Sequence, residues 1–162
     1  MAGRRTFFSF HYQRDITRVN VVRNAGVVDA QAAAGWTDAS LWEKAKREGD
    51  AAVKRRIDAG LQGTSVTVVL IGAKTSTRRW VGYEIAESIK RGNGVLGVFI
   101  HSIRDLTNKV DVKGDVPKGL LDCGAPCYTW DSAQLGKWVE KAAVKAGHPC
   151  LAHSRRGCRL CG

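Results

Sequence analysis

The stretch Thr64-Ser-Val-Thr-Val-Val-Leu-Ile71 decides the fold. It is rich in β-branched residues and apolar at both odd and even positions, so both faces of the strand it forms must be covered. Such a strand belongs in the middle of a parallel sheet with helices packed on each side. The residues after it agree. Gly72-Ala-Lys-Thr-Ser-Thr77 reads as a loop, and Arg78 to about Arg91 as a helix stopped by Gly92-Asn-Gly94. Val95-Leu-Gly-Val-Phe-Ile100 reads as the next buried strand.

Working outward, Thr6-Phe-Phe-Ser-Phe10 predicts a short buried strand, and Val27-Val28 a very short second one. Between them, Asp15 is placed to cap a helix over about 16–25, ended by Gly26. Ser40-Leu-Trp-Glu43 has the pattern of a capping box before one charged helix over 41–59. Residues 102–126 read mostly as loop, Cys127-Tyr-Thr-Trp130 as a last strand, and Asp131 and Ser132 as caps of a final helix to about Ala146. The alternation predicts an α/β three-layer sandwich with a five-stranded parallel sheet, flavodoxin-like, in strand order 2-1-3-4-5. Residues 1–147 form the expected domain, and 148–162 a basic Cys/His-containing tail.

The 162 residues suit one domain. With 44% hydrophobic and 25% charged residues, the composition excludes disorder of the whole chain. No apolar run approaches the roughly 20 residues that span a bilayer, and the opening FFSF run is too short for a signal peptide. The reading is therefore cytoplasmic, with no membrane partner. A net charge of +11 attracts polyanions and phosphorylated ligands, or marks a solvated basic surface. The charge is spread along the chain with no polybasic arm, which disfavours nucleic acid. The five cysteines all lie at 123 and beyond, unlike a secreted disulfide framework.

Ligands of an open parallel sheet bind outside the carboxyl ends of its strands. Two segments reach that edge: Ser9 to Tyr12 with Asp15, and Gly72 to Trp80. On the following helix, Val81, Ile85, Ser88 and Ile89 share the face that packs on the sheet. Trp80 and Glu84 lie one turn apart on its flank. A carboxylate there, beside an indole, suits binding of sugar hydroxyls or stabilisation of a cation. It also suits a surface glutamate that complements the helix dipole. His11 follows a strand directly and reads as an acid/base group, a phosphate donor or a structural histidine. Arg78 and Arg79 oppose the dipole at a helix start, which makes them pyrophosphate candidates or solvated charges. There is no GxGxxG after the first strand, no GxxxxGK[ST] and no GxSxG, so a Rossmann dehydrogenase, a P-loop ATPase and an elbow-type hydrolase are disfavoured. In the tail, Cys150, His153, Cys158 and Cys161 are candidate zinc ligands in a spacing unlike standard fingers, beside the reading of a loose basic end.

These residues carry a resemblance. Phe7-Phe-Ser-Phe-His-Tyr12 with Asp15, Arg18, Asn20 and Val22-Arg23 resembles the start of TIR-like proteins of the Thoeris anti-phage system, the ThsB type. Ser65–Ile71 and Ser76-Thr-Arg-Arg-Trp-Val-Gly-Tyr-Glu-Ile85 resemble their central strand and next helix. The resemblance implies an enzyme that cleaves NAD between nicotinamide and ribose. It implies a cyclic or modified ADP-ribose product that signals to a separate effector, with NAD as substrate and no cofactor required. The glutamate of the W-x3-E pattern corresponds to Glu84 as the catalytic group. Phe10, His11, Tyr12, Asp15, Ser76, Arg78 and Trp80 are the expected substrate-binding residues. The resemblance allows a homo-oligomer. The alternatives are a non-catalytic TIR-like scaffold or adaptor, and a basic nucleotide- or nucleic-acid-binding module.

Overall fold

The structure, a computed structural model, describes residues 4–25 and 39–148. Strands β1 (Thr6–Ser9), β2 (Val66–Ile71), β3 (Gly94–Phe99) and β4 (Cys127–Thr129) form one parallel sheet in the order β1-β2-β3-β4. Thr6 sits opposite Val66, Val66 opposite Gly94, and Gly97 opposite Cys127. The sheet therefore shows four strands, against an expected five in order 2-1-3-4-5. Val27 and Val28, the expected second strand, lie outside the described residues.

The helices are α1 (Tyr12–Asn24), α2 (Ala39–Glu48), α3 (Asp50–Leu61), α4 (Arg79–Lys90), α5 (Lys118–Asp122) and α6 (Leu135–Lys145). Every residue of β2 is buried, as its composition demands. Its side chains divide by parity, the period of a strand. Val66, Val68 and Leu70 join a core with Val19 and Val22 of α1, Ile57 of α3 and Val139 of α6. Val69 and Ile71 join a second cluster with Val81 and Ile85 of α4 and Leu120 of α5. Both faces of the sheet are thus covered, and a close approach helps. A Cβ at Gly94 would lie 2.3 Å from the Ala142 carbonyl oxygen, so only glycine lets α6 lie this near β3.

Several boundaries differ from the reading of the sequence. Helix α1 starts at Tyr12 with His11 as its N-cap, so Asp15 is a buried residue inside the first turn, not a cap. The expected helix over 41–59 is two helices, broken at Gly49, whose φ of 100° only glycine adopts without strain. Because α2 begins at Ala39, Ser40 lies within it and does not precede it. Asp131 heads a turn, accepting from the Ala133 N–H at 2.8 Å, and Gln134 caps α6. Ile89 does not share the buried face of Val81, Ile85 and Ser88; it is 44% exposed.

The segment 102–126 contains α5 and is tied down on its first half by α1. Buried Arg18 donates to the Ile103 carbonyl at 2.9 Å and the Lys109 carbonyl at 3.1 Å, and pairs with Asp105 at 3.3 Å. Arg14 donates to both carboxylate oxygens of Asp111 at 2.8 Å. Among the described residues, no helix is long and apolar enough to cross a membrane.

Candidate active site

A cleft of about 300 Å³ opens between the carboxyl end of β1 and the start of α4. Phe10, His11, Tyr12 and Gln13 line it from the β1–α1 junction. Thr77, Arg78, Arg79, Trp80, Val81 and Glu84 line it from the turn after β2 and from α4. Trp42 and Lys46 line it from α2.

Glu84 is 3% exposed. The period of α4 carries it inward beside Ile85 and Ser88, while Trp80, one turn earlier, stays half-buried at the cleft. Ser9 at the end of β1 donates its hydroxyl to Glu84 Oε2. This bond joins the first strand to the helix that follows the second and fixes the carboxylate direction. The helix is fixed in turn: the Ser88 hydroxyl donates to the Glu84 carbonyl at 2.6 Å and lies 2.7 Å from the Thr67 hydroxyl of β2. A buried carboxylate held this way can face developing positive charge without reorganising.

The walls are aromatic. Phe10 and Tyr12 have ring centroids 5.8 Å apart, and Tyr12 and Trp42 stack at 6.3 Å. Trp80 meets the edge of Tyr83 at 5.8 Å, and the Arg79 guanidinium lies 4.4 Å from the Trp80 ring centre. Arg79 also pairs with Asp50 at the start of α3. Arg78 is exposed at the rim. Lys46, Arg78 and Arg79 set three cations around one carboxylate, Glu84, among the lining residues. Burial, then the charges of Arg78 and Arg14, hold the His11 imidazole below its ordinary pKa, so it is neutral at pH 7.

The structure thus brings Phe10, His11, Tyr12, Arg78, Trp80 and Glu84 to one cleft. Asp15 and Ser76 do not line it. Ser76 sits in the short 3-10 turn Thr75–Thr77, half-buried on the approach to α4. The tail candidates Cys150, His153, Cys158 and Cys161 lie outside the described residues. Among the described residues, no cluster of His, Cys, Asp and Glu can hold a metal. Sequence reasoning placed Ser9 at the ligand edge without a role there, and missed Trp42 and Lys46. The available signals were the strand-end position of Ser9 and the one-turn spacing from Trp42 to Lys46.

The family described as Thoeris protein ThsB, TIR-like domain, matches residues 7–105. A protein of Bacillus cereus (strain MSX-D12) named "Putative cyclic ADP-D-ribose synthase ThsB1" is 49% identical over 147 residues, covering 85% of this chain and 75% of that protein. This chain belongs to the Thoeris ThsB family of TIR-like proteins. Every lining residue of the cleft falls within the segment that matches the ThsB family.

Asp15 has a separate role in this ThsB-family domain. Its side chain is fully buried and lies against Gly72, where a Cβ would come within 2.3 Å of Oδ2. Neither oxygen has a hydrogen-bond partner among the described residues. Burial raises its pKa to about 6; Arg14, Arg18 and the nearby Thr75 hydroxyl pull it down, and Asp111 pushes it up. A carboxyl whose folded pKa exceeds its unfolded value binds more protons when folded, so stability falls as pH rises from about 4 to about 6. Replacing Asp15 by Asn should remove that slope. Thermal melts are expected to show a higher Tm than wild type at pH 7.5 and no gain at pH 4.

Proposed function

We propose that this protein breaks the bond between nicotinamide and ribose in NAD. The ADP-ribosyl part becomes a cyclic or otherwise modified ADP-ribose that signals to a separate effector in anti-phage defence. The observation that carries this reading is the buried carboxylate of Glu84, held by Ser9 and set below Trp80 in a cleft with a cationic rim. The name of the Bacillus cereus relative supports the same chemistry.

In the proposed reaction the C1′–N bond of the nicotinamide riboside breaks, and its electron pair leaves on nicotinamide. Positive charge develops on C1′ and the ring oxygen. Glu84 faces that charge and stabilises it, as the carboxylate of a glycosidase does. Arg78 and Lys46, which form no ion pair among the described residues, meet the pyrophosphate. The aromatic side chains hold the flat rings and keep water from C1′. NAD is the substrate, and the reaction as written needs no further cofactor.

The test is incubation of purified protein with NAD, with nicotinamide followed by chromatography. Release by wild type, lost on replacement of Glu84, supports an enzyme. No release, in buffer or in lysate of phage-infected cells, supports an adaptor.

A further inference from the structure

Helix α2 also lines the cleft that holds Glu84, and of its residues the proposed bond cleavage uses only Lys46, on the pyrophosphate. It contributes Trp42, 9% exposed and stacked on Tyr12, and Lys46 one turn further along the same side of the helix. The helix is tied to α1 near its middle, and the helix after it is tied to α4. Gln13 at the start of α1 donates to Glu43 at 3.0 Å. Beyond the break at Gly49, Asp50 pairs with Arg79 at the start of α4. The stack of Trp42 on Tyr12 ties this side of the cleft to the β1–α1 junction.

Cleavage of NAD leaves a carbon that reacts with whichever nucleophile is nearest. Water gives linear ADP-ribose and a proton. A hydroxyl or ring nitrogen of the same molecule gives a cyclic product; a new bond forms to C1′, and one proton goes to solvent, from the attacking hydroxyl or, for a ring nitrogen, from the exocyclic amino group of the adenine. The second outcome requires the adenosine half to be folded back and held, a positional requirement that the carboxylate cannot meet. A flat aromatic surface with a cation one turn away matches a purine base and the phosphate carried on its ribose.

We propose that Trp42 and Lys46 form the platform for the adenosine half of the substrate, and that Trp42 sets the partition between cyclisation and hydrolysis. This rests on the NAD-cleaving reading above. Trp42 is a specificity-determining residue here and Glu84 the catalytic one.

The experiment measures nicotinamide, cyclic product and linear ADP-ribose from NAD in one chromatogram for wild type, Trp42→Ala, Trp42→Phe and Lys46→Gln. Loss of one base-stacking contact is expected to lower the cyclic-to-linear ratio of Trp42→Ala about ten-fold or more. Its KM for NAD should rise as well. Trp42→Phe, which keeps a ring, should restore most of the ratio. Lys46→Gln should raise KM several-fold with the ratio little changed. An unchanged ratio in Trp42→Ala overturns the proposal while NAD cleavage stands. Equal loss in Trp42→Ala and Trp42→Phe also overturns it, since a merely structural tryptophan would behave that way. Absence of nicotinamide release from wild type removes the NAD-cleaving reading and this proposal with it.

Discussion

Replacing Glu84 by Gln is expected to reduce nicotinamide release from NAD by roughly 10³-fold, the upper range for removing one preorganised electrostatic group from an active site. The amide is close in shape to the carboxylate and still offers an oxygen to the Ser9 hydroxyl. What it lacks is charge. The loss should therefore fall on kcat, with KM for NAD little changed, because ground-state NAD carries no full positive charge on the ribose. Fold and Tm should be close to wild type. A fall of less than about ten-fold would mean that Glu84 is not the group that meets the developing cation.

Removing Glu140 should have the largest effect on stability. Arg4, just before β1, donates through Nε to Glu140 Oε2 at 2.8 Å and through Nη2 to Oε1 at 2.6 Å. The two residues are 136 positions apart, and both are buried, so this fork joins the first strand to the last helix. Glu140→Ala leaves the Arg4 guanidinium in that site without its carboxylate. Breaking a buried pair from one side costs about 3–5 kcal/mol, on the order of 10 °C in Tm for a domain of this size. Replacing both residues by apolar ones of similar volume should recover most of the loss, since the desolvation cost of both charges disappears. Calorimetry of the two variants checks this. A loss under about 1 kcal/mol for Glu140→Ala would place the pair among solvated surface bridges.

The parts of the fold that were legible in the sequence are those where local pattern and tertiary environment agree. The β-branched run 66–71 is buried on both faces and can only be a central strand. Trp80, Val81, Glu84 and Ile85 keep their helical relation in the structure, so the inward turn of Glu84 could be read from spacing. Asp15 shows the opposite case. An aspartate near a helix start looks like a cap, and only the contact with Gly72, 57 positions away in sequence, reveals a buried carboxyl. Trp42 looked like one apolar position of a long helix. The turn at Gly49 that ends α2 depends on a positive φ, which a charged stretch does not announce. Ser9 needed the β1–β2 register and the docking of α4 before it could be placed on Glu84. Ile89 fits the buried period of α4, yet it lies in the last turn, at the end of the sheet where nothing described covers it fully.

The most direct test of NAD conversion is the mass of the nucleotide formed when purified protein, or protein in lysate of phage-infected cells, meets NAD. The expected result is a product with the mass of ADP-ribose less one water, formed in step with free nicotinamide and missing from the Glu84→Gln reaction. NAD recovered intact under both conditions, or the same product formed by Glu84→Gln at the wild-type rate, would contradict it.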